Sequence, residues 1–135
     1  YGNERTPGYI GDMPHSWAGA DFLNLARTIF AWENGEQLVL GLGLDEAWLQ
    51  RPEGVSVRNL PTHFGPISYA VTASGETVTA SVRGDLHRTP AAGIVFHSPR
   101  AAAIRSVTVN GKPSRDFTGN TVQVTNVPAE LVISY

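Results

Sequence analysis

Side chains able to do chemistry are concentrated in Gly11-Asp12-Met13-Pro14-His15-Ser16-Trp17, which brings a carboxylate, an imidazole and an indole into one tight loop. The mixture suits a sugar site. Carboxylate and imidazole hydrogen-bond hydroxyls, and an indole covers the apolar face of a sugar ring. The same residues also suit a structural duty, in which Asp12 and His15 cap the following helix and hydrogen-bond the loop. Both readings stay open on the residues alone.

Other chemistries find little support. His15, His63, His87 and His97 are far apart and form no HxH, HxxH or HExxH spacing, so no metal site is expected. The absence of cysteine excludes thiolate ligands, disulfides and a thiol nucleophile. No Gly-x-Ser-x-Gly elbow is present. Gly41-Leu42-Gly43 lacks the third glycine and the βαβ setting of a dinucleotide loop and reads as a strand bend, so no cofactor is expected. A pI near 6.1 with Lys112 as the single lysine is no nucleic-acid footprint. No apolar run reaches the length of a membrane span, so neither nucleic acid nor membrane is an expected partner. Stacking platforms for a carbohydrate are available in Trp17, Trp32, Trp48, His63, Phe64, Tyr69 and Tyr135, each of which could equally be core or interdomain packing.

The elements that must position these groups divide the chain in two. Residues 1–34 read as an irregular loop, with Gly2, Pro7, Gly8, Gly11 and Pro14, followed by a helix over residues 16–32. Trp17, Ala20, Phe22, Leu23, Ala26, Ile29 and Phe30 recur at helical spacing, while Asp21, Asn24 and Thr28 make only a narrow polar stripe. A helix with so little polar surface must be covered on most sides. The sandwich is expected to bury one side, and the rest calls for a helical domain outside this sequence.

Residues 36–135 change to short β runs closed by turn residues, the pattern of an antiparallel β-sandwich. About eight strands are expected, at 37–42, 54–58, 67–72, 77–83, 93–97, 104–109, 121–124 and 130–135. Alternation is cleanest in 77–83, where Val78, Ala80 and Val82 share one face and Thr77, Thr79, Ser81 and Arg83 the other. Asn110-Gly111 predicts a tight type I′ turn. The expected fold is mainly β: a sandwich with one N-terminal α-helix.

The runs GDMPHSWAGADFLNLARTIFAWENGEQLVLGLGLDEAWL, GVSVRNLPTHFGPISYAV and IRSVTVNGKP together resemble the C-terminal end of bacterial six-hairpin glycosidases. These are glycoside hydrolases with an (α/α)6 barrel followed by a small β-sandwich, a group that includes α-L-rhamnosidase-like enzymes. The resemblance covers nearly the whole chain. It implies that residues 16–32 are the last barrel helix and that Asp12 stands where related inverting enzymes carry the catalytic base. Those relatives have Glu in a GEMPH or GELPH run, so Asp12 reaches one methylene less far. It further implies that His15 and Trp17 line the substrate, and that the general acid lies in a barrel segment absent from this chain. Because inverting hydrolysis needs two carboxyl groups about 6.5–9.5 Å apart, the isolated chain is expected to be inactive. The resulting expectation is an accessory C-terminal sandwich of a carbohydrate-active enzyme, bacterial, with carbohydrate and the missing helical domain, in the same protein or a partner chain, as partners. A non-catalytic carbohydrate-binding module and a structural or protein-interaction sandwich are the alternatives. The compartment is not legible.

Overall fold

The structure, a computed structural model, describes residues 16–135. Helix α1 (Ser16–Phe30) leads directly into β1 (Ala31–Asn34) and β2 (Gln37–Leu40), after which a 3₁₀ turn (Glu46–Gln50) precedes β3 (Val55–Leu60). The long hairpin β4 (Ile67–Ser74) and β5 (Thr77–Gly84) follows, then β6 (Ile94–His97), β7 (Ser106–Val109), β8 (Lys112–Ser114), β9 (Phe117–Thr118), β10 (Thr121–Val124) and β11 (Ala129–Ser134). One sheet has the order β1-β2-β6-β10-β9 and the other the order β3-β4-β5-β11-β7-β8.

The expected β-sandwich is thus present, and period-two alternation explains why the sheets face each other. Strand β4 buries Ile67, Tyr69 and Val71, β5 buries Val78, Ala80 and Val82, and β11 buries Ala129, Leu131 and Ile133. Leu38, Leu40, Ile94, Phe96, Val122 and Val124 meet them from the other sheet in one cluster. The Tyr69 and Phe96 rings pack edge to face across the core, their centroids 6.5 Å apart. Each fully buried side chain of this size contributes about 1.5–3 kcal/mol.

Three short strands were not expected, β1, β8 and β9. Strand β8 follows from the anticipated turn: Asn110 and Gly111 take φ of 51° and 76°, the pair of positive values a type I′ hairpin requires, and Val109 pairs with Lys112. Strand β1 corrects the helix boundary, which lies at Phe30 rather than Trp32. The carbonyl of Phe30 accepts from the Gly41 N–H at 3.0 Å, and Ala31 and Trp32 pair with Leu40 and Val39, so sheet pairing takes over the backbone where side-chain periodicity alone would continue the helix. The strand ends where Asn34 pairs with Gln37, and Gly35-Glu36 make the two-residue hairpin turn between β1 and β2, with Gly35 at φ 60°. The sandwich is also not wholly antiparallel, since β2 runs parallel to β6.

The helix is less covered than expected. Residues 16–25 are exposed along their whole length, and only residues 26–30 are half-buried, with Ile29 and Phe30 packed against the core. The sandwich therefore holds the last turn and leaves both sides of the preceding turns open.

Candidate functional site

Helical spacing sorts the residues of α1 onto two faces. At about 100° per residue, Trp17, Asp21, Asn24 and Thr28 fall on one stripe, and Phe22, Leu23, Leu25, Ala26, Ile29 and Phe30 occupy the broad arc opposite. Trp17, Phe22, Leu23 and Leu25 are 75%, 69%, 68% and 67% exposed. Trp17 thus stands apart from the apolar arc, at the head of the polar stripe. Asp12 and His15, the other expected site residues, lie outside the described residues.

The polar stripe runs down into a cluster at the root of the helix. The Glu33 carboxylate, its side chain only 10% exposed, accepts from Arg27 Nη1 at 3.1 Å and from the His63 backbone N–H at 3.0 Å. Its second oxygen lies 3.3 Å from His63 Nε2, an ion pair when the imidazole is protonated. Arg27 also donates to the Pro61 carbonyl at 3.2 Å, so one guanidinium ties α1 to both β1 and the β3–β4 loop. That loop is shaped locally: Thr62 Oγ1 accepts from the Phe64 N–H at 3.1 Å and donates to the Gly65 carbonyl at 2.6 Å. Asn24, Arg27, Glu33, Pro61, Thr62 and His63 enclose an open cleft of about 350 Å³.

On the other side of the helix root the contacts are made to the helix backbone. Gly43 N–H donates to the Ile29 carbonyl at 3.1 Å, and a Cβ at position 43 would come within 2.8 Å of Ile29 Cα, so only glycine permits this approach. Tyr69 Oη reaches from the core to donate to the Phe30 carbonyl at 2.7 Å. Burial pushes the Tyr69 phenol well above its ordinary pKa, against a smaller opposing effect of a backbone hydrogen bond at Gly41. It remains a neutral donor and is no acid or base near neutrality.

The chemical capacity of the cleft follows from this inventory. Among the described residues its lining contains one carboxyl group, Glu33, which is already committed to Arg27 and the His63 N–H, whereas two-carboxylate hydrolysis needs an independent pair. Among the described residues no group of three or more His, Asp or Glu is placed to hold a metal ion. The cluster fixes the direction in which α1 leaves the sandwich and can hydrogen-bond a polar ligand.

The expected stacking platforms separate into three groups. Phe64, Tyr69 and Tyr135 belong to the core. The Arg88 guanidinium lies 5.0 Å from the Phe64 ring centroid, and Tyr135 bonds to the fully buried Ser98 hydroxyl. His63 serves the Glu33 cluster, while Trp32 and Trp48 are 41% and 42% exposed and Trp17 more so. Sequence reasoning missed Arg27 and Glu33 as partners. The available signal was Gly35, which as the first residue of a two-residue hairpin turn puts Glu33 on an edge strand beside the helix end. Comparison with protein families, curated proteins and solved structures finds nothing that matches this chain.

Proposed function

We propose that this chain is the C-terminal accessory region of a carbohydrate-active enzyme, a β-sandwich whose helix α1 packs into a helical layer supplied outside residues 16–135. The observation that carries the reading is the uncovered apolar arc of α1. Phe22, Leu23 and Leu25 are each at least 67% exposed, on a helix whose first ten residues touch little of the sandwich. Covering these three would contribute about 3–6 kcal/mol, taking roughly two-thirds of the burial value of each side chain. Large apolar residues grouped on one face mark an interaction surface. A helical partner fits best, because the arc has the i, i+3, i+4, i+7 spacing of helix packing, seen in Phe22, Leu25, Ala26 and Ile29.

The family resemblance supports the same reading, with Asp12, His15 and Trp17 facing the substrate of the complete enzyme and no hydrolysis by this chain alone. The gene upstream of Tyr1 provides the test. A long succession of paired amphipathic helices there supports the reading, and a reading frame without them removes it. In such an enzyme Asp12→Ala should abolish turnover, and unchanged turnover would reject the role of Asp12 as base.

A further inference from the structure

Strand β3 is an edge of the six-stranded sheet, and a bulge interrupts its pairing with β4. Val57 pairs with Tyr69 and Leu60 with Ile67, so Arg58 and Asn59 together stand opposite the single residue Ser68. Asn59 takes φ of 50°, in the left-handed region, and its N–H donates to Ser68 Oγ at 2.9 Å. Bulges of this kind re-aim the side chains they carry. Because Val57, Tyr69 and Val82 point to the core, alternation turns Ser56, Arg58, Ser68, Ala70, Ser81 and Arg83 to the outer face. Arg58 borders Ser68 on one side, and Arg83 pairs with it on the other. Two strand spacings separate the arginine backbones, about 10 Å, so both side chains can reach a single group lying above Ser68.

These side chains line an open depression of about 180 Å³, floored by Ala70 and small serines that leave the space between the arginines unfilled. Its chemistry is one-sided, with two guanidinium groups and, among the described residues, no carboxylate in the lining. Arg58 is exposed and meets neither an acid nor a hydrogen-bond acceptor among the described residues. Arg83 reaches Glu130, outside the depression, only at 3.4 Å, with its side chain 72% exposed. Ser68 Oγ accepts from Asn59, which leaves its own proton to donate outward, and the Ser56 hydroxyl has no partner among the described residues. Like charges and donors without acceptors call for an anion, and the guanidinium fork matches the oxygens of a carboxylate, phosphate or sulfate. We infer that the outer face of β3, β4 and β5 binds one oxyanion group of a small ligand, held between Arg58 and Arg83 with the Ser68 and Ser56 hydroxyls donating beneath it. A nucleic-acid backbone would need a longer basic stripe, which Glu130 interrupts on the β11 side. No residue of α1 lines the depression, so this site stands or falls separately from the helix-packing reading.

The experiment is nuclear magnetic resonance titration of the 135-residue chain, at constant ionic strength, with inorganic phosphate, sulfate, galacturonate and glucose 6-phosphate, and with galactose and glucose as neutral controls. Saturable shifts are expected at the Arg58 and Arg83 side-chain N–H groups and at the Asn59 and Ser68 amides. At least one oxyanion should give them with a Kd of about 1 mM or tighter, and the neutral sugars should give none. Tighter binding of an acidic sugar than of the inorganic ions supports the site with its oxyanion carried on a sugar, and equal affinity supports it as a site for the free ion. Arg58→Gln should weaken binding about tenfold or more, and Arg83→Gln several-fold. Arg105→Gln, an equally exposed arginine paired with Glu76 elsewhere, should change it by less than about twofold. Absence of saturable shifts with all four oxyanions overturns the inference, as do shifts centred elsewhere, an affinity unchanged by Arg58→Gln, or equal weakening by Arg105→Gln.

Discussion

Removing the Glu33 carboxylate should loosen the root of α1 without touching the hydrophobic core. The side chain is 10% exposed and receives two N–H donors, Arg27 Nη1 and the His63 amide, at 3.1 and 3.0 Å. Hydrogen bonds to charged groups contribute about 1.5–3 kcal/mol each. The cleft is open and Arg27 is 30% exposed, so solvent screening places both bonds at the lower end. Glu33→Ala should therefore cost about 2–3 kcal/mol, and lower the melting temperature by roughly 6–12 °C. Glu33→Gln keeps an acceptor and should cost about 1 kcal/mol. In a double-mutant cycle with Arg27→Ala the pair should show about 1 kcal/mol of coupling, measured by urea unfolding of the four proteins. Hydrogen exchange supplies the local readout: amides of residues 26–30 should lose protection in Glu33→Ala while those of β4, β5 and β11 keep it. A cost below about 0.5 kcal/mol, or equal loss of protection in the central strands, would refute the assignment of this carboxylate to the helix root.

Leu25→Asp, at a position 67% exposed, should change the stability of the isolated chain by no more than about 0.5 kcal/mol in urea. In the complete enzyme proposed above, the same change should destabilise the docked helix by several-fold that amount, because a carboxylate would then be buried; equal effects in both settings would count against a covered helix. Gly43→Ala should cost about 1–3 kcal/mol in the chain alone, since the new methyl meets Ile29 Cα and backbone must shift, again read by urea unfolding. Burial raises the pKa of both Tyr69 and Tyr135 above the unfolded value, so folding favours the neutral phenols. That contribution is fully present below about pH 10 and is lost as pH rises above it; urea midpoints should fall between pH 9 and pH 11, and less so in Tyr69→Phe.

How far the fold was readable depended on whether a residue's role is local. Strand β5 could be read because Val78, Ala80 and Val82 alternate with polar neighbours over eight residues, and the turn at Asn110-Gly111 because positive φ selects those two residue types. Trp32 could not. Its apolar side chain continues the helical spacing of Ile29 and Phe30, and only pairing with Val39, a partner across the hairpin, decides for strand. The Arg27, Glu33 and His63 cluster is harder still, since its members come from a helix, an edge strand and a loop 30 residues farther on. No spacing rule links them. The cross-sheet row of Trp32, Val39, Val95 and Gln123 likewise exists only after β2 and β6 pair in parallel, an association absent from the local pattern.

Helix α1 and the sandwich stand in unequal relation to each other, and this makes the helix the informative element. The sheets close their own core without α1, apart from the half-buried Ile29 and Phe30. The helix has 15 described residues, near the length at which an isolated helix in water is marginal, and among these only residues 26–30 are even half-buried. Its own propensity is further reduced by Gly19 and by the Thr28 hydroxyl, which bonds back to the Asn24 carbonyl at 2.8 Å. On the proposed reading, a segment so poorly supported from within, yet anchored at its root by Arg27, Glu33, Gly43 and Tyr69, would owe its conformation to the helical layer that covers Phe22, Leu23 and Leu25. The anchors set the direction of the helix, and in the proposed assembly the apolar arc would supply the adhesion, the division of labour expected of an element shared between a sandwich and a second, helical layer.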